Sequence, residues 1–162
     1  MLRRFRPEDA ATLRRWHADP RYGRHLGGST DDPAVTDELL ARWRAHWEEH
    51  GFGLVAAQDR ASGALVARGG PQFHRVWPHD PEVGWGVDPA WWGRGIATEL
   101  GAACVDWAFG ALGFRRLVSI TTEANVASRR VIEKLGFTLL TRAPDPRDRD
   151  ELWVYSREAQ LD

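Results

Sequence analysis

The chain has 162 residues, 43% hydrophobic and 28% charged, a size and balance that suit one globular domain spanning residues 1–162. A formal net charge of −1 excludes a whole-molecule field for nucleic acid or anionic lipid, and no apolar run approaches the roughly 18 residues of a membrane span. The single cysteine, Cys104, excludes an intrachain disulfide and a cysteine-rich metal site, and it suits a reducing cytoplasm.

The charged opening has no apolar run behind it and does not read as a signal peptide. Residues 2–6 form a short edge strand ending at Pro7. Asp9 then caps a helix running to Trp16 or His17, with Ala10 and Leu13 on its inner face. Residues 19–33, rich in Gly, Ser, Asp and Pro, read as a loop. In the next helix Val35, Leu39, Trp43 and Trp47 recur at a spacing near four, until His50-Gly51 ends it. Residues 52–58 and 64–70 are strands of an antiparallel hairpin. Residues 71–80, with His74, His79 and two prolines, read as a loop, and residues 82–87 as a strand interrupted by Gly84 and Gly86. Glycine weakens a strand unless something approaches the backbone closely.

A helix over residues 95–112 places Ile96, Leu100, Cys104, Trp107, Ala108 and Ala111 on one face. A strand over 117–121 follows, then a helix over 127–135 stopped by Gly136, with Val131, Leu135 and Ile132 as its core residues. Strands at 137–141 and 152–156 close the chain around a charged turn at 143–151. Hairpins supply antiparallel pairs and helical crossovers parallel ones, so the fold is α/β with a mixed sheet.

Two segments carry chemistry. In the first, Val87-Asp88-Pro89-Ala90-Trp91-Trp92-Gly93-Arg94-Gly95-Ile96-Ala97-Thr98-Glu99-Leu100, a strand ends, a Gly-containing turn follows and a helix starts. Unpaired N–H groups and the positive end of the helix dipole make such a turn a phosphate site, and glycines let a bulky anion reach the backbone. A glycine-rich cap without a ligand has the same local sequence. No Lys-Ser/Thr pair follows, so this is not a P-loop, and it lacks the three-glycine dinucleotide spacing. The second segment is Asn125-Val126-Ala127-Ser128-Arg129-Arg130-Val131-Ile132-Glu133-Lys134-Leu135-Gly136-Phe137. Asn125 suits a helix cap, and Arg129, Arg130 and Lys134 suit either a solvated face or an anion.

These two segments, one strand apart, resemble the cofactor-binding halves of GNAT N-acetyltransferases. The Trp-Gly-Arg-Gly-Ile-Ala-Thr-Glu stretch, the Asn-x-x-Ser…Glu-Lys-Leu-Gly-Phe ending and the opening Leu2-Arg3-Arg4-Phe5-Arg6-Pro7-Glu8-Asp9 are similar to the branch of the ribosomal-protein N-terminal Ala/Ser acetyltransferases. The resemblance covers essentially the whole chain and is strongest over residues 82–137.

The resemblance implies a mostly antiparallel sheet splayed in the middle and flanked by about four helices. It implies acetyl-CoA as cosubstrate and no metal. Backbone groups of Trp85, Gly86 and Val87 pair with the pantetheine arm as an added strand would. The N–H groups of Gly93, Arg94, Gly95, Ile96, Ala97 and Thr98 hold the pyrophosphate, Asn125 bonds the pantetheine arm, and Arg129, Arg130 or Lys134 reaches the nucleotide phosphates. The partner is an amine acceptor, a protein N-terminus or a small molecule, in the cytoplasm; nucleic acid and membrane are not implied, and a homodimer is compatible.

Trp92 stands where many members have Gln or Arg, and Ile132 stands where many have a tyrosine acid. Ser128, three residues after the Asn, is then the group that protonates the leaving thiolate or holds the sulfur. Glu82 is the first choice of base, because it lies on the strand leading to the thioester; roughly 16 Å of extended strand separates it from Val87, which calls for a bulge or a water relay. His74 or His79 is the alternative base. The rival to an enzyme is a catalytically inactive module of the same fold that binds CoA or another ligand.

Overall fold

The computed structural model describes residues 1–74, 77–145 and 151–160. Its strands are β1 (Leu2–Arg3), β2 (Val55–Gln58), β3 (Leu65–His74), β4 (Trp77–Val87), β5 (Arg116–Thr122), β6 (Thr138–Ala143) and β7 (Leu152–Glu158). Its α-helices are α1 (Ala10–Ala18), α2 (Pro20–Gly23), α3 (Pro33–His50), α4 (Ile96–Phe109) and α5 (Val126–Lys134). The strands form a seven-stranded sheet ordered β1-β2-β3-β4-β5-β7-β6. β4 and β5 pair in parallel, with Glu82 opposite Val118, and β1–β2, β2–β3, β5–β7 and β6–β7 pair antiparallel. The mixed sheet matches the expectation, and the described helices number five.

The chain divides into two compact units, residues 1–69 with 85–97 and residues 70–84 with 98–162. In the first, α1, α2 and α3 cover one face of β2 and the start of β3. Their core is Phe5, Leu13, Trp16, Tyr22, Leu40, Trp43, Leu54, Ala56 and Leu65. Phe5 and Trp43 meet with ring centroids 5.1 Å apart and Trp16 and Tyr22 with centroids 5.6 Å apart, and such aromatic pairs add about 0.5–1.5 kcal/mol each beyond the area they bury. In the second unit Val83, Cys104, Val105, Leu117, Val118, Ile132 and Val154 are fully buried.

Five local expectations change. Asp9 does not cap α1: Arg3 takes both its oxygens at 2.7 Å, and Arg6 N–H donates to it at 2.8 Å, because a 3-10 turn at Pro7–Asp9 opens the helix. The 19–33 segment contains α2, capped by Asp19 with Pro20 at its first position. The buried face of α3 is Thr36, Leu40 and Trp43, whereas Val35 is exposed. Within the expected loop at 71–80, residues 71–74 and 77–80 are strand: β3 continues to His74 and β4 begins at Trp77. Proline's fixed φ fits an extended chain and costs it one donor, so Pro71, Pro78 and Pro81 interrupt neither strand. In α5, Ile132 and Leu135 are buried and Val131 only half-buried. The turn expected at 143–151 falls largely on residues 146–150, outside the described residues.

Candidate active site

In the first unit, β4 ends at Val87 and the chain turns at Asp88. The buried Asp88 carboxylate caps the 3-10 turn Pro89–Trp91 by accepting from Ala90 N–H at 2.9 Å. It also accepts from Trp16 Nε1 at 2.7 Å, and Asp88 N–H donates to Val66 at 2.9 Å. The start of the turn is therefore held from three directions. Trp92 supplies a fourth hold, its Nε1 donating to the Val87 carbonyl at 2.8 Å while half its surface stays exposed. This residue ties the turn to the end of β4.

Gly93 and Gly95 follow with φ of 75° and 76°, left-handed values that L side chains rarely adopt. A Cβ built at either would meet no atom within 4 Å, so the space over both is open. α4 then begins at Ile96, and the N–H groups of its first turn have no intrahelical partner. Two left-handed glycines feeding a helix N-terminus have a shape and polarity that suit an anion. Arg94 lies between them, its guanidinium 4.6 Å above the Trp91 ring.

The glycines of β4 have other neighbours. A Cβ at Gly86 would lie 2.5 Å from the Tyr22 hydroxyl and 3.4 Å from Arg68 Nε, so the absent side chain makes room for Tyr22. In the same unit Arg68 Nε donates to the Tyr22 hydroxyl at 3.0 Å, and its guanidinium lies 5.0 Å from the Trp43 ring. His17, buried beside Tyr22, shares a 2.8 Å hydrogen bond with Thr36. Burial first, and the Arg68 charge second, push its pKa down to about 4, so the ring is neutral at pH 7. None of these contacts was anticipated; the one signal in the sequence was a charge, Arg68, in an otherwise apolar strand.

In the second unit, Glu82 is buried on β4, and a Cβ at Gly84 would lie 3.6 Å from its Oε1. The carboxylate thus lies along the strand beside a residue that leaves it space. His74 is half-buried near the end of β3, and His79 is exposed, edge-on to Trp77 at 6.4 Å. Asp80 pairs with Arg116 at 2.8 Å, and this bond first holds its carboxyl below the usual range.

Asn125 caps α5, its Oδ1 accepting from Ser128 N–H at 3.1 Å. That bond uses the carbonyl side of the amide and leaves the two amide hydrogens for another acceptor. Ser128 is half-buried in the first turn of α5. Arg129 is engaged locally: it lies 4.4 Å above Trp153, donates to the Tyr155 hydroxyl at 3.3 Å and to the Glu123 carbonyl at 3.2 Å. Arg130 and Lys134 are exposed. Burial pushes the Cys104 thiol up to about 12, which keeps it protonated and unreactive. Among the described residues no group of three or more His, Cys, Asp and Glu is placed to hold a metal ion.

Residues 1–138 match the family described as the acetyltransferase (GNAT) domain. The chain belongs to this GNAT acetyltransferase family. The crystal structure of an acetyltransferase from Agrobacterium tumefaciens is 30% identical, superposes with a TM-score of 0.82, and is matched over 98% of this chain and 90% of that one. A ribosomal-protein-S5-alanine acetyltransferase from Vibrio fischeri, 18% identical over 97% of this chain and 91% of its own, has the same fold at a TM-score of 0.78. A probable N-acetyltransferase of Bacillus subtilis, YjcK, is 35% identical over 95 residues, 56% of this chain. The match spans 49% of YjcK, about half its length. GNAT family members are acetyl-CoA-dependent N-acetyltransferases.

Proposed function

We propose that this chain is one acetyltransferase domain that moves acetyl from acetyl-CoA to a primary amine by direct attack. The observation that carries the reading is the turn at 93–95, with two left-handed glycines open to solvent at the N-terminus of α4. A pyrophosphate suits that shape and polarity, and family membership supplies acetyl-CoA as the molecule that brings one. Gly93, Arg94, Gly95, Ile96, Ala97 and Thr98 hold the pyrophosphate. Trp85, Gly86 and Val87 pair with the pantetheine arm through their backbone, and the Asn125 amide donates to it. Of the cations, Arg130 and Lys134 are the freest to meet the nucleotide phosphates.

In the reaction, the nitrogen lone pair of a neutral amine attacks the thioester carbonyl carbon. A C–N bond forms, the C–S bond breaks, and the electron pair leaves on sulfur. The proton lost by nitrogen passes to Glu82 through water, and the thiolate takes a proton from Ser128 or from solvent. The positive end of a helix dipole also favours the thiolate. A reducing compartment such as the cytoplasm suits the one buried cysteine, and sedimentation tests for a homodimer.

Release of free CoA, followed with a thiol reagent across N-terminal peptides, polyamines and aminoglycosides, tests transfer. Amine-dependent release supports the enzyme. Tight acetyl-CoA binding with no release above background for any amine supports the inactive binding module instead.

A further inference from the structure

Resting on that acetyltransferase reading, we infer that Arg68 and Tyr22 form the acceptor's recognition site, and that the acceptor is a small amine bearing a carboxylate, an amino acid. Arg68 sits on β3 opposite Ala56, a core residue, so it shares the sheet face that α1, α2 and α3 cover. Arg68 is half-buried there, and a guanidinium that has lost part of its hydration is stabilised by an anion. None is supplied. Among the described residues its contacts are the Tyr22 hydroxyl, the Trp43 ring and the neighbouring His17, and none of these is a carboxylate. Asp88, on the same unit, is bonded to Trp16 and Ala90 and lies 3.8 Å from Arg15.

The donor arithmetic points the same way. Arg68 spends Nε–H on Tyr22, which leaves its two terminal nitrogens. Tyr22 accepts that bond and keeps its own O–H to donate. Both groups therefore offer hydrogen, and the Arg68 charge disfavours a cationic ligand. The guanidinium lies 5.0 Å from the Trp43 ring, and its two terminal nitrogens form the fork that fits a carboxylate bidentately. His17 adds no competing charge, since its ring is neutral at pH 7.

The position is also right for an acceptor. Tyr22 and Arg68 press against Gly86, the middle of the three residues proposed to pair with the pantetheine arm. A carboxylate bound there puts an amine a few bonds away near the end of that arm. A polyamine, all cation, meets a cation and two donors at this place and is repelled.

The test uses the full chain, acetyl-CoA and a panel of α-amino acids, each beside its carboxamide and its decarboxylated amine, with polyamines and N-terminal peptides in the same assay. At least one amino acid is expected to be acetylated with kcat/KM roughly ten-fold or more above its carboxamide and its decarboxylated amine, the difference one charge-assisted pair makes. Arg68→Met keeps an apolar stem and should raise KM for that amino acid about ten-fold or more, a far larger change than in its kcat or in the KM of its carboxamide. Tyr22→Phe removes one donor and should raise the same KM by a smaller factor, while Arg68→Lys restores part of the loss. Preference for amides, polyamines or peptides overturns the proposal. So does an Arg68→Met protein that binds acetyl-CoA normally and keeps its preference for the acid. A chain that binds acetyl-CoA but acetylates no amino acid overturns it while leaving the cofactor reading intact; one that binds no acetyl-CoA defeats both.

Discussion

Gly95 and Glu82 make opposite demands on a substitution. At Gly95 the backbone itself resists, because φ of 76° strains a branched residue before any ligand is considered. Gly95→Val, the direct way to fill the cradle, therefore mixes strain with steric block. Gly95→Asn is the cleaner variant, since Asn tolerates left-handed backbone and its side chain enters the open space. It should weaken acetyl-CoA binding about ten-fold or more by calorimetry with a melting temperature within a few degrees of the parent's; normal binding would mean the cradle lies elsewhere. At Glu82 the shape is kept and only the proton acceptor is lost. Glu82→Gln should lower kcat/KM by roughly 10²-fold, as removal of a general base does, and leave acetyl-CoA Kd unchanged. If it stays fully active while a glutamine at His74 or His79 abolishes turnover, the base lies on one of those histidines. His17 makes a prediction about stability. Its pKa is near 4 in the folded chain against 6.5 when exposed, so the unfolded chain binds more protons between those values. Its contribution to stability is complete above about pH 6.5 and falls as pH drops toward 4. Thermal melts at pH 7 and 4.5 should show a smaller acid-side loss for His17→Gln than for the parent; equal losses would assign the acid sensitivity to other groups.

At the scale of elements, the cap of α5 separates structure from function. Asn125→Asp keeps the oxygen that accepts from Ser128 N–H and removes the amide donors. It should keep the melting temperature and weaken acetyl-CoA binding, whereas Asn125→Ala should also cost about 1 kcal/mol of stability. Loss of stability without loss of binding in the Asp variant would reduce Asn125 to a cap. How well elements could be read in advance depended on their length and on what lay next to them. α4, α5 and both hairpins carry strong periodicity or clear turn residues, and they appear within a few residues of where the pattern put them. α2 spans four residues, too short for any period, although Asp19-Pro20 did carry a cap and a first-position proline. Residues 71–80 read as a loop with two prolines, yet proline only forfeits a donor and 71–74 and 77–80 are strand. The glycine turn at 93–95 is legible because its determinants are adjacent in the chain. The Tyr22–Arg68 contact is not, because it joins residues 46 apart that meet only once α2 packs on β3. Gly86 was rightly suspected of close approach, but what approaches in the folded chain is Tyr22.

For the molecule as a whole, a net charge of −1 means that an anionic cosubstrate must be captured by local groups. On the proposed reading, backbone N–H groups at 93–98 would supply a part of that attraction, and exposed arginines the part that salt screens. Arg129 is held by Trp153, Tyr155 and Glu123, so Arg94 and the exposed Arg130 should carry most of the salt dependence. Comparing CoA with dephospho-CoA reads the 3′-phosphate contact separately; equal affinities for Arg130→Gln and its parent, with either ligand, would remove Arg130 from the site. The central claim is simpler than any of these assignments and is met head-on by a calorimetric titration of the purified chain with acetyl-CoA. The account predicts saturable heat at one site per chain, accompanied by a raised melting temperature. Neither heat nor a shift in melting at millimolar acetyl-CoA would contradict it.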